Sequence, residues 1–257
     1  MITKSKLEAR FKQQLKAVNR QGDLGIANFR AVYENLMPVQ QQKLEKLCGE
    51  NFPKFVDHGT IVCIALSYYE NEIHCINQRS SEGKPNKELW NNYAQAYNRL
   101  NNHLNRFIVE IAELINGIAI PATLEGMVDS VQHVTDYFPL TISHRAIAEH
   151  AGLGWRGKNE LIVHPRYSCA IRFASVLTDL PLPHDKILTQ NCGNCVACLE
   201  ACSFLKHKTK IKYYRESCRK YILSLGLEDE VCGKCVLACY CQAIVKDQFQ
   251  LQKAEIL

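Results

Sequence analysis

The chain has 257 residues, of which 47% are apolar and 22% are charged, and its formal net charge at pH 7 is +5. This length allows one large domain or two smaller ones, and the composition excludes a disordered or fibrous protein. The modest charge does not by itself indicate a nucleic-acid-binding protein. The N-terminus lacks an apolar signal-peptide core, and no run reaches the ~20 apolar residues of a membrane helix. We therefore expect a cytoplasmic protein with no membrane association.

The first half of the chain alternates between helical and strand-like patterns. An amphipathic pattern predicts a helix over 3–20, which Gly22 and Gly25 should end. A second helix is expected over 38–50. The apolar, β-branched run 59–69 is typical of a buried strand.

The second half begins with a long helix over 89–115, whose apolar residues recur at helical spacing. A short strand over 118–122 and a helix over 143–151 should follow. Residues 161–163 and 170–178 are typical of strands, and we expect them to form a hairpin around Pro165.

These elements predict an α+β protein of two domains. The first, residues 1–184, is an α+β domain. The second, residues 185–257, is a ferredoxin-like module that begins after the stiff Pro181 and Pro183 linker.

The thirteen cysteines are unevenly distributed. Disulfides are not expected in a reducing compartment, and an odd total favours metal ligation over complete pairing. Five cysteines lie outside the main cluster, and we expect most of them to be small buried hydrophobes: Cys48, Cys63, Cys75, Cys169 and Cys241.

The other eight cysteines lie within about fifty residues, in a spacing typical of bacterial iron–sulfur ferredoxins. In such ferredoxins the fourth cysteine of each run ligates the other cluster, which predicts two [4Fe–4S] clusters here. The first cluster is then held by Cys192, Cys195, Cys198 and Cys239. The second is held by Cys202, Cys218, Cys232 and Cys235.

Three other interpretations of the cysteines stay open. Structural zinc also uses four thiolates, although usually in two CxxC pairs. A single cluster with unrelated cysteines is another, and Cys241 is an alternative to Cys239 as ligand.

A basic stretch separates the two cysteine runs, from Lys206 to Lys220. It is either a solvated charged face or a docking surface for an anionic partner. Such a partner would be an acidic electron donor or a nucleic-acid backbone.

Residues 144–159 (HRAIAEHAGLGWRGKN), residues 175–183 (SVLTDLPLP) and the two cysteine runs together resemble the epoxyqueuosine reductase family. Residues 61–69 and 92–97 resemble it more weakly. The resemblance implies a cobalamin-dependent iron–sulfur oxidoreductase that reduces epoxyqueuosine in tRNA, with an N-terminal domain like the corrinoid domain of reductive dehalogenases. It implies a low-potential electron donor such as ferredoxin or flavodoxin. We expect a short member, without the family's C-terminal helical-repeat domain.

The resemblance also implies roles for particular residues. The glycine-rich turn would approach the corrinoid through Gly152, Gly154, Trp155, Gly157 and Lys158.

The proton donor would be Asp136, with Asp129 as the alternative, since opening an epoxide or reducing an alkene needs a positioned acid. His144 and His150 flank the expected cavity. One stretch departs from the family, because Ala96-Tyr97-Asn98 stands where the family has Asp-Tyr-His.

Two further functions stay open beside the reductase. One is a ferredoxin-like protein that passes electrons to a partner, such as a corrinoid protein in need of reactivation, and has no substrate of its own. The other is a structural zinc protein that binds nucleic acid through the basic stretch.

Overall fold

One antiparallel sheet lies between two groups of helices in this computed structural model, which describes residues 2–123 and 131–243. The strands are β1 (Gly22–Asn28), β2 (Thr60–Ser67), β3 (Ile118–Ile120), β4 (Trp155–Arg156), β5 (Ile162–Val163) and β6 (Ile171–Thr178).

The helices of the N-terminal half are α1 (Lys4–Ala17), α2 (Phe29–Glu34), α3 (Pro38–Cys48), α4 (Phe52–His58), α5 (Glu70–His74) and α6 (Lys87–Ile115). Those of the C-terminal half are α7 (Val134–Tyr137), α8 (His144–His150), α9 (Ala197–Glu200), α10 (Ser203–Lys206), α11 (Tyr214–Leu225) and α12, which is helical from 234 to 243.

The main sheet has four strands in the order β1-β2-β6-β3, and every neighbouring pair is antiparallel. All eight residues of β2 are buried, because helices cover both faces of this central strand. Val62, Ile64 and Leu66 face the layer that contains α1 and α6. Ile61 and Cys63 face the opposite layer, which contains α2, α3, α4 and α8. A continuous apolar run in β2 is the sequence signature of this two-sided burial.

Helix α6 is the longest element, with 29 residues. The Asn86 side chain caps its first turn, and Asn116, in the left-handed conformation, ends it before Gly117. One face of the helix is fully buried against β2 and β6, and it includes Leu100, Leu104 and Ile111. Apolar residues spaced by three and four along the chain produce such a face.

The cysteine-rich segment shares its apolar core with the N-terminal half. Leu225, Val231 and Val236 belong to the same buried cluster as Trp90 and Phe107 of α6. The preceding linker is also packed at the edge of the sheet. The Asp185 N–H donates to the Ile26 backbone oxygen, and the Asp185 carboxylate accepts from the Ile26 N–H and forms an ion pair with Lys4. A division of the chain at residue 184 stays a prediction.

Most predicted elements are found close to their expected positions, but two differ. Gly22 and Gly25 do not end a helix in a loop, because they belong to strand β1. The expected hairpin around Pro165 is wrong: β5 pairs with β4, whereas β6 pairs with β2 and β3. A bridge between His164 and Ser168 closes the turn, after which the two strands enter different sheets.

In the part of the chain that the structure describes, no helix is both long and apolar enough to cross a bilayer.

The glycine at position 25 is required by the close approach of α8 to β1. A Cβ atom there would lie 2.1 Å from the backbone oxygen of Ala151, just after α8.

We expect Gly25→Ala to lower the free energy of unfolding by more than about 2 kcal/mol, because the backbone must move to make room for the added methyl group. Gly226→Ala is the control: its Cβ would meet only the flexible end of the Lys87 side chain within 4 Å, so mainly its left-handed conformation is penalised, by about 1 kcal/mol. Denaturant unfolding measures both, and equal losses would contradict the packing argument.

Candidate metal centre and adjoining cavity

The first set of thiols comes from the loop before α9, from α9 itself and from α12. Cys198, at the second position of α9, is buried, and its pKa is raised by burial and then by the nearby thiols of Cys239, Cys192 and Cys195. Folding therefore brings together three cysteines of the first run and one from the second. These are the four residues expected to hold the first cluster, and their role as ligands stays a prediction.

The second set comes from the N-cap of α10 (Cys202), from α11 (Cys218), from the turn before α12 (Cys232) and from α12 itself (Cys235). Burial, followed by the thiols of Cys232 and Cys202, raises the pKa of Cys218 to about 12. The pKa of Cys235 is likewise raised by burial and then by Cys232, Cys218 and Cys202. Cys202 thus lies with the second run although it belongs to the first, as the crossed ligand pattern requires.

The CxxC turn of the second set is pressed against α6. A Cβ atom on Gly233 would lie 2.1 Å from Ile76 Cδ1 and 2.9 Å from the Tyr93 ring. A glycine in this turn therefore sets the distance between the second set of thiols and helix α6.

Two cysteines outside the eight behave differently. The pKa of Cys241 is raised by burial and then by Glu70, and of the two candidates Cys239 is the one that acts on Cys198. Cys169 is buried beside Cys239, whose hydrogen bond is the largest cause of its raised pKa. Asn159 Nδ2 donates a hydrogen bond to Cys169 Sγ at 3.3 Å. Cys169 was expected to be an ordinary buried hydrophobe, and no spacing in the sequence connects it with the cysteine runs.

Within the described residues, no three His, Cys, Asp or Glu side chains converge on a point that would hold a single metal ion. Ligands of an iron–sulfur cluster surround a core of several irons rather than one ion.

A cavity of about 410 Å³ lies between the sheet, α6 and the cysteine-rich segment. Its volume is in the range of small-molecule and cofactor pockets. All four thiols of the second set line it. Part of the wall is aromatic, and its tyrosines are Tyr68, Tyr93, Tyr97, Tyr137 and Tyr214. Burial raises the pKa of Tyr68, Tyr93 and Tyr137, so these hydroxyls are neutral at pH 7.

The glycine-rich turn packs against its own chain rather than facing this cavity. A Cβ atom on Gly152 would lie 2.5 Å from the Lys186 backbone oxygen, and one on Gly154 would lie 2.5 Å from that of Val163. Gly157 is similarly close to the Asn159 side chain, at 2.8 Å. The cavity wall begins two residues later, at Asn159.

The two other residues of the turn have distinct surroundings. Lys158 Nζ donates to the Gly193 backbone oxygen at 2.8 Å, which links the turn to the first cysteine run. The Trp155 indole nitrogen is buried and has no hydrogen-bond partner among the described residues. Contact of these five residues with a corrinoid stays a prediction.

Asp136 lies in the first turn of α7 and caps it. Its Oδ2 accepts a hydrogen bond from the His133 backbone N–H at 2.8 Å, in a capping-box arrangement. The side chain is exposed, whereas its neighbours Val134 and Tyr137 line the cavity. A cap role accounts for this carboxylate, and its role as an acid stays a prediction. The alternative, Asp129, lies outside the described residues.

His144 is a satisfied, buried histidine at the start of α8. Its Nε2 donates to the Pro121 backbone oxygen at 2.6 Å, so its Nδ1 accepts from the Ser175 hydroxyl at 3.0 Å. Burial lowers the pKa of His144 to about 4, which keeps the ring neutral at pH 7. His150 donates from Nδ1 to the Ala146 backbone oxygen within its own helix.

The basic stretch divides into an internal and an exposed part. Arg215 and Lys208 form ion pairs with Glu160 on the cavity wall, and Arg219 pairs with Glu216 beneath α7. The exposed cations are Lys206, Lys210, Lys212 and Lys220. Only this second group is free to meet a partner.

The protein has a mixed helix-and-sheet fold, and its cysteine-rich C-terminal segment lies beside a cavity of cofactor size. No family model matches the chain. Curated epoxyqueuosine reductases do match it, including that of Shigella dysenteriae, at 28% identity over 164 residues (56% of this chain and 40% of the relative). The Pseudomonas aeruginosa relative is 30% identical over 147 residues, with 56% and 37% covered.

Among solved structures, the epoxyqueuosine reductase of Streptococcus thermophilus matches with a TM-score of 0.50 at 18% identity, covering 90% of this chain and 65% of that one. This likeness shows a shared fold. In sequence the chain is similar to curated epoxyqueuosine reductases, and it spans 16–40% of the length of the relatives that it matches.

The neutral state of His144 makes the fold sensitive to mild acid. Because its pKa in the folded protein is about 4, against 6.5 ordinarily, the unfolded chain binds a proton between these values that the folded chain does not. Lowering the pH from 7 to 5 should therefore cost about 2 kcal/mol of stability at this residue.

The matched variant is His144→Gln, which keeps a donor and an acceptor but does not titrate. The free energy of unfolding of the wild type, followed by circular dichroism, should fall by about 2 kcal/mol more than that of the variant. Equal losses in both proteins would show that His144 is not the titrating group.

Proposed function

We propose that this protein is an iron–sulfur reductase of the epoxyqueuosine reductase type, with two [4Fe–4S] clusters and a cavity for an organic cofactor and substrate. The main observation in favour of this proposal is that eight thiols fall into two groups of four, one of which lines the cavity. Such an arrangement supports transfer of electrons from a surface donor into an enclosed site.

The thiols fit an iron–sulfur core in their chemistry. Burial and mutual repulsion raise the pKa of Cys198, Cys218 and Cys235, which disfavours several thiolates side by side. The irons of a cluster supply positive charge that stabilises such thiolates.

The cavity fits an organic cofactor in size and lining. Apolar and aromatic walls with a few converging polar groups are typical of such pockets, and Tyr97, Phe138 and Phe173 would contact a planar ring system here. When bound, iron–sulfur clusters and a corrinoid supply single-electron transfer and a strongly reducing cobalt. The protein's own part is to exclude water, orient the ligand and hold a proton near it.

The substrate and partners of this proposal come from the family. Epoxyqueuosine in tRNA is the proposed substrate, and a low-potential ferredoxin or flavodoxin is the proposed electron donor. The exposed lysines 206, 210, 212 and 220 would attract either partner, because both are anionic. The enclosed cavity favours a reductase over an electron carrier that has no substrate of its own.

Cysteine variants test the two clusters. Anaerobically prepared wild type should contain roughly eight irons and eight acid-labile sulfides per chain, and Cys198→Ala and Cys235→Ala should each retain roughly four of each. Cys241→Ala is the control and should retain the wild-type content. Zinc in place of iron, or an equal loss in Cys241→Ala, would contradict the proposed ligand sets.

A turnover assay tests the reaction and the acid. Reduced protein with cobalamin should convert epoxyqueuosine in tRNA to queuosine, detected by mass spectrometry of the nucleosides. Asp136→Asn keeps an oxygen for the His133 N–H but cannot donate the proton, so the rate should fall on the order of 10²-fold or more.

The control is Asp57→Asn, an exposed aspartate paired with Arg30 far from the cavity, which should leave the rate unchanged. A protein that binds iron and cobalamin but converts no substrate would favour the electron-carrier function instead.

A further inference from the structure

Arg172 on strand β6 points into the same cavity. We infer that it binds the negatively charged group of an aromatic or otherwise planar organic ligand. This inference deepens the proposed function by assigning a charge to the ligand of its cavity, and its first test does not need the reaction to occur.

The side chain of Arg172 is held firmly but incompletely. Its Nε donates to Asn101 Oδ1 at 3.1 Å, and its Nη2 donates to the Thr123 backbone oxygen at 2.6 Å. The guanidinium lies 3.9 Å above the centre of the Tyr97 ring. An arginine has five N–H donors, so these two bonds leave three without a partner among the described residues.

No carboxylate of the described residues forms an ion pair with Arg172. The neighbouring arginines differ: Arg215 pairs with Glu160, and Arg219 pairs with Glu216. A guanidinium taken out of water is costly unless a negative charge or sufficient hydrogen bonds compensate for it. Both of the acceptors that Arg172 reaches are neutral, so the compensation is partial.

The second set of thiols has a different cation beside it. Arg215 is the charge that lowers the pKa of Cys218, against the dominant effect of burial. Arg172 instead lies among the tyrosines, on the aromatic side of the cavity. Arg172 therefore lines the cavity with N–H donors that have no partner among the described residues.

Among the charged side chains of the cavity wall, cations outnumber carboxylates. Of the described residues that line the cavity, four are permanently cationic (Arg145, Arg172, Arg215 and Lys234) and two are carboxylates (Glu160 and Glu230). Guanidinium groups bind carboxylate, sulfonate and phosphate oxygens through paired hydrogen bonds.

The aromatic wall adds a preference for a ring. Tyr68 and Tyr93 stack with their centroids 5.2 Å apart, and the Tyr97 ring lies beneath the Arg172 guanidinium. A ring lying on this wall and carrying a negative group would satisfy the contacts that the protein leaves open.

A pair of dyes tests the inference directly. Anilinonaphthalene sulfonate and N-phenylnaphthylamine share one ring system, but only the first carries a negative charge. Cluster-loaded wild-type protein, without reductant, should bind the sulfonate at least about tenfold more tightly than the neutral dye, because hydrogen bonds to charged groups are the stronger ones. Fluorescence titration measures both affinities.

Variants assign this preference to one residue. Arg172→Gln should weaken binding of the sulfonate roughly tenfold and leave the neutral dye unchanged, whereas Arg172→Lys should keep part of the preference. Arg166→Gln, an exposed arginine on the far side of β1, is the control and should change neither affinity.

Equal binding of the two dyes by the wild type would overturn the inference even if Arg172→Gln failed to fold. Binding of neither dye would overturn it as well. Equal weakening of both dyes in a folded Arg172→Gln would show that Arg172 only braces β6 against α6.

A second pair of probes identifies the source of the negative group. Cobalamin carries a phosphodiester that cobinamide lacks. If Arg172→Gln weakens only cobalamin, the anion is that of the corrinoid, and if it weakens neither while the sulfonate is lost, the anion belongs to the substrate. Absence of iron together with a retained dye preference would contradict the proposed function alone, and eight irons without that preference would contradict this inference alone.

Discussion

Helix α6 connects nearly every part of this molecule that matters for its chemistry. Its buried face packs on β2 and β6, and its N-terminal half meets the CxxC turn at Gly233. The same helix supplies Tyr93 and Tyr97 to the cavity and Asn101 to Arg172. Because one rigid element makes these contacts, the distance between the sheet and the second set of thiols is fixed by packing rather than by loops.

Most of the described side chains that line the cavity are neutral at pH 7, and the charged ones are four cations and two carboxylates. Burial keeps His144 uncharged and raises the pKa of the surrounding tyrosines. In such a medium a single charge acts over a longer range than it does in water. This gives Arg172 an influence on any bound ligand that an exposed arginine would lack.

Local patterns were sufficient to predict the central strand and the long helix, since β2 is continuously apolar and α6 has regular helical spacing. They were not sufficient for β1. Gly22 and Gly25 are needed there because backbone atoms of residues distant in sequence lie too close to leave room for a Cβ atom. The pairing of β6 with β2 is also long-range, and a turn at Pro165 suggested a hairpin instead. Among the site residues, cysteine spacing led to a prediction of two ligand sets, which stays a prediction, whereas the position of Cys169 depends on how β6 enters the sheet.

The apolar cluster that Leu225, Val231 and Val236 share with α6 couples the stability of the cysteine-rich segment to that of the main core. Anything that binds Cys232 and Cys235 in the folded state stabilises the whole core by mass action, because these residues pack against it. Maturation and folding are therefore one equilibrium. Chains without a metal group bound at these cysteines would unfold more often and be degraded sooner by proteases. The abundance of the protein would therefore follow the supply of that group.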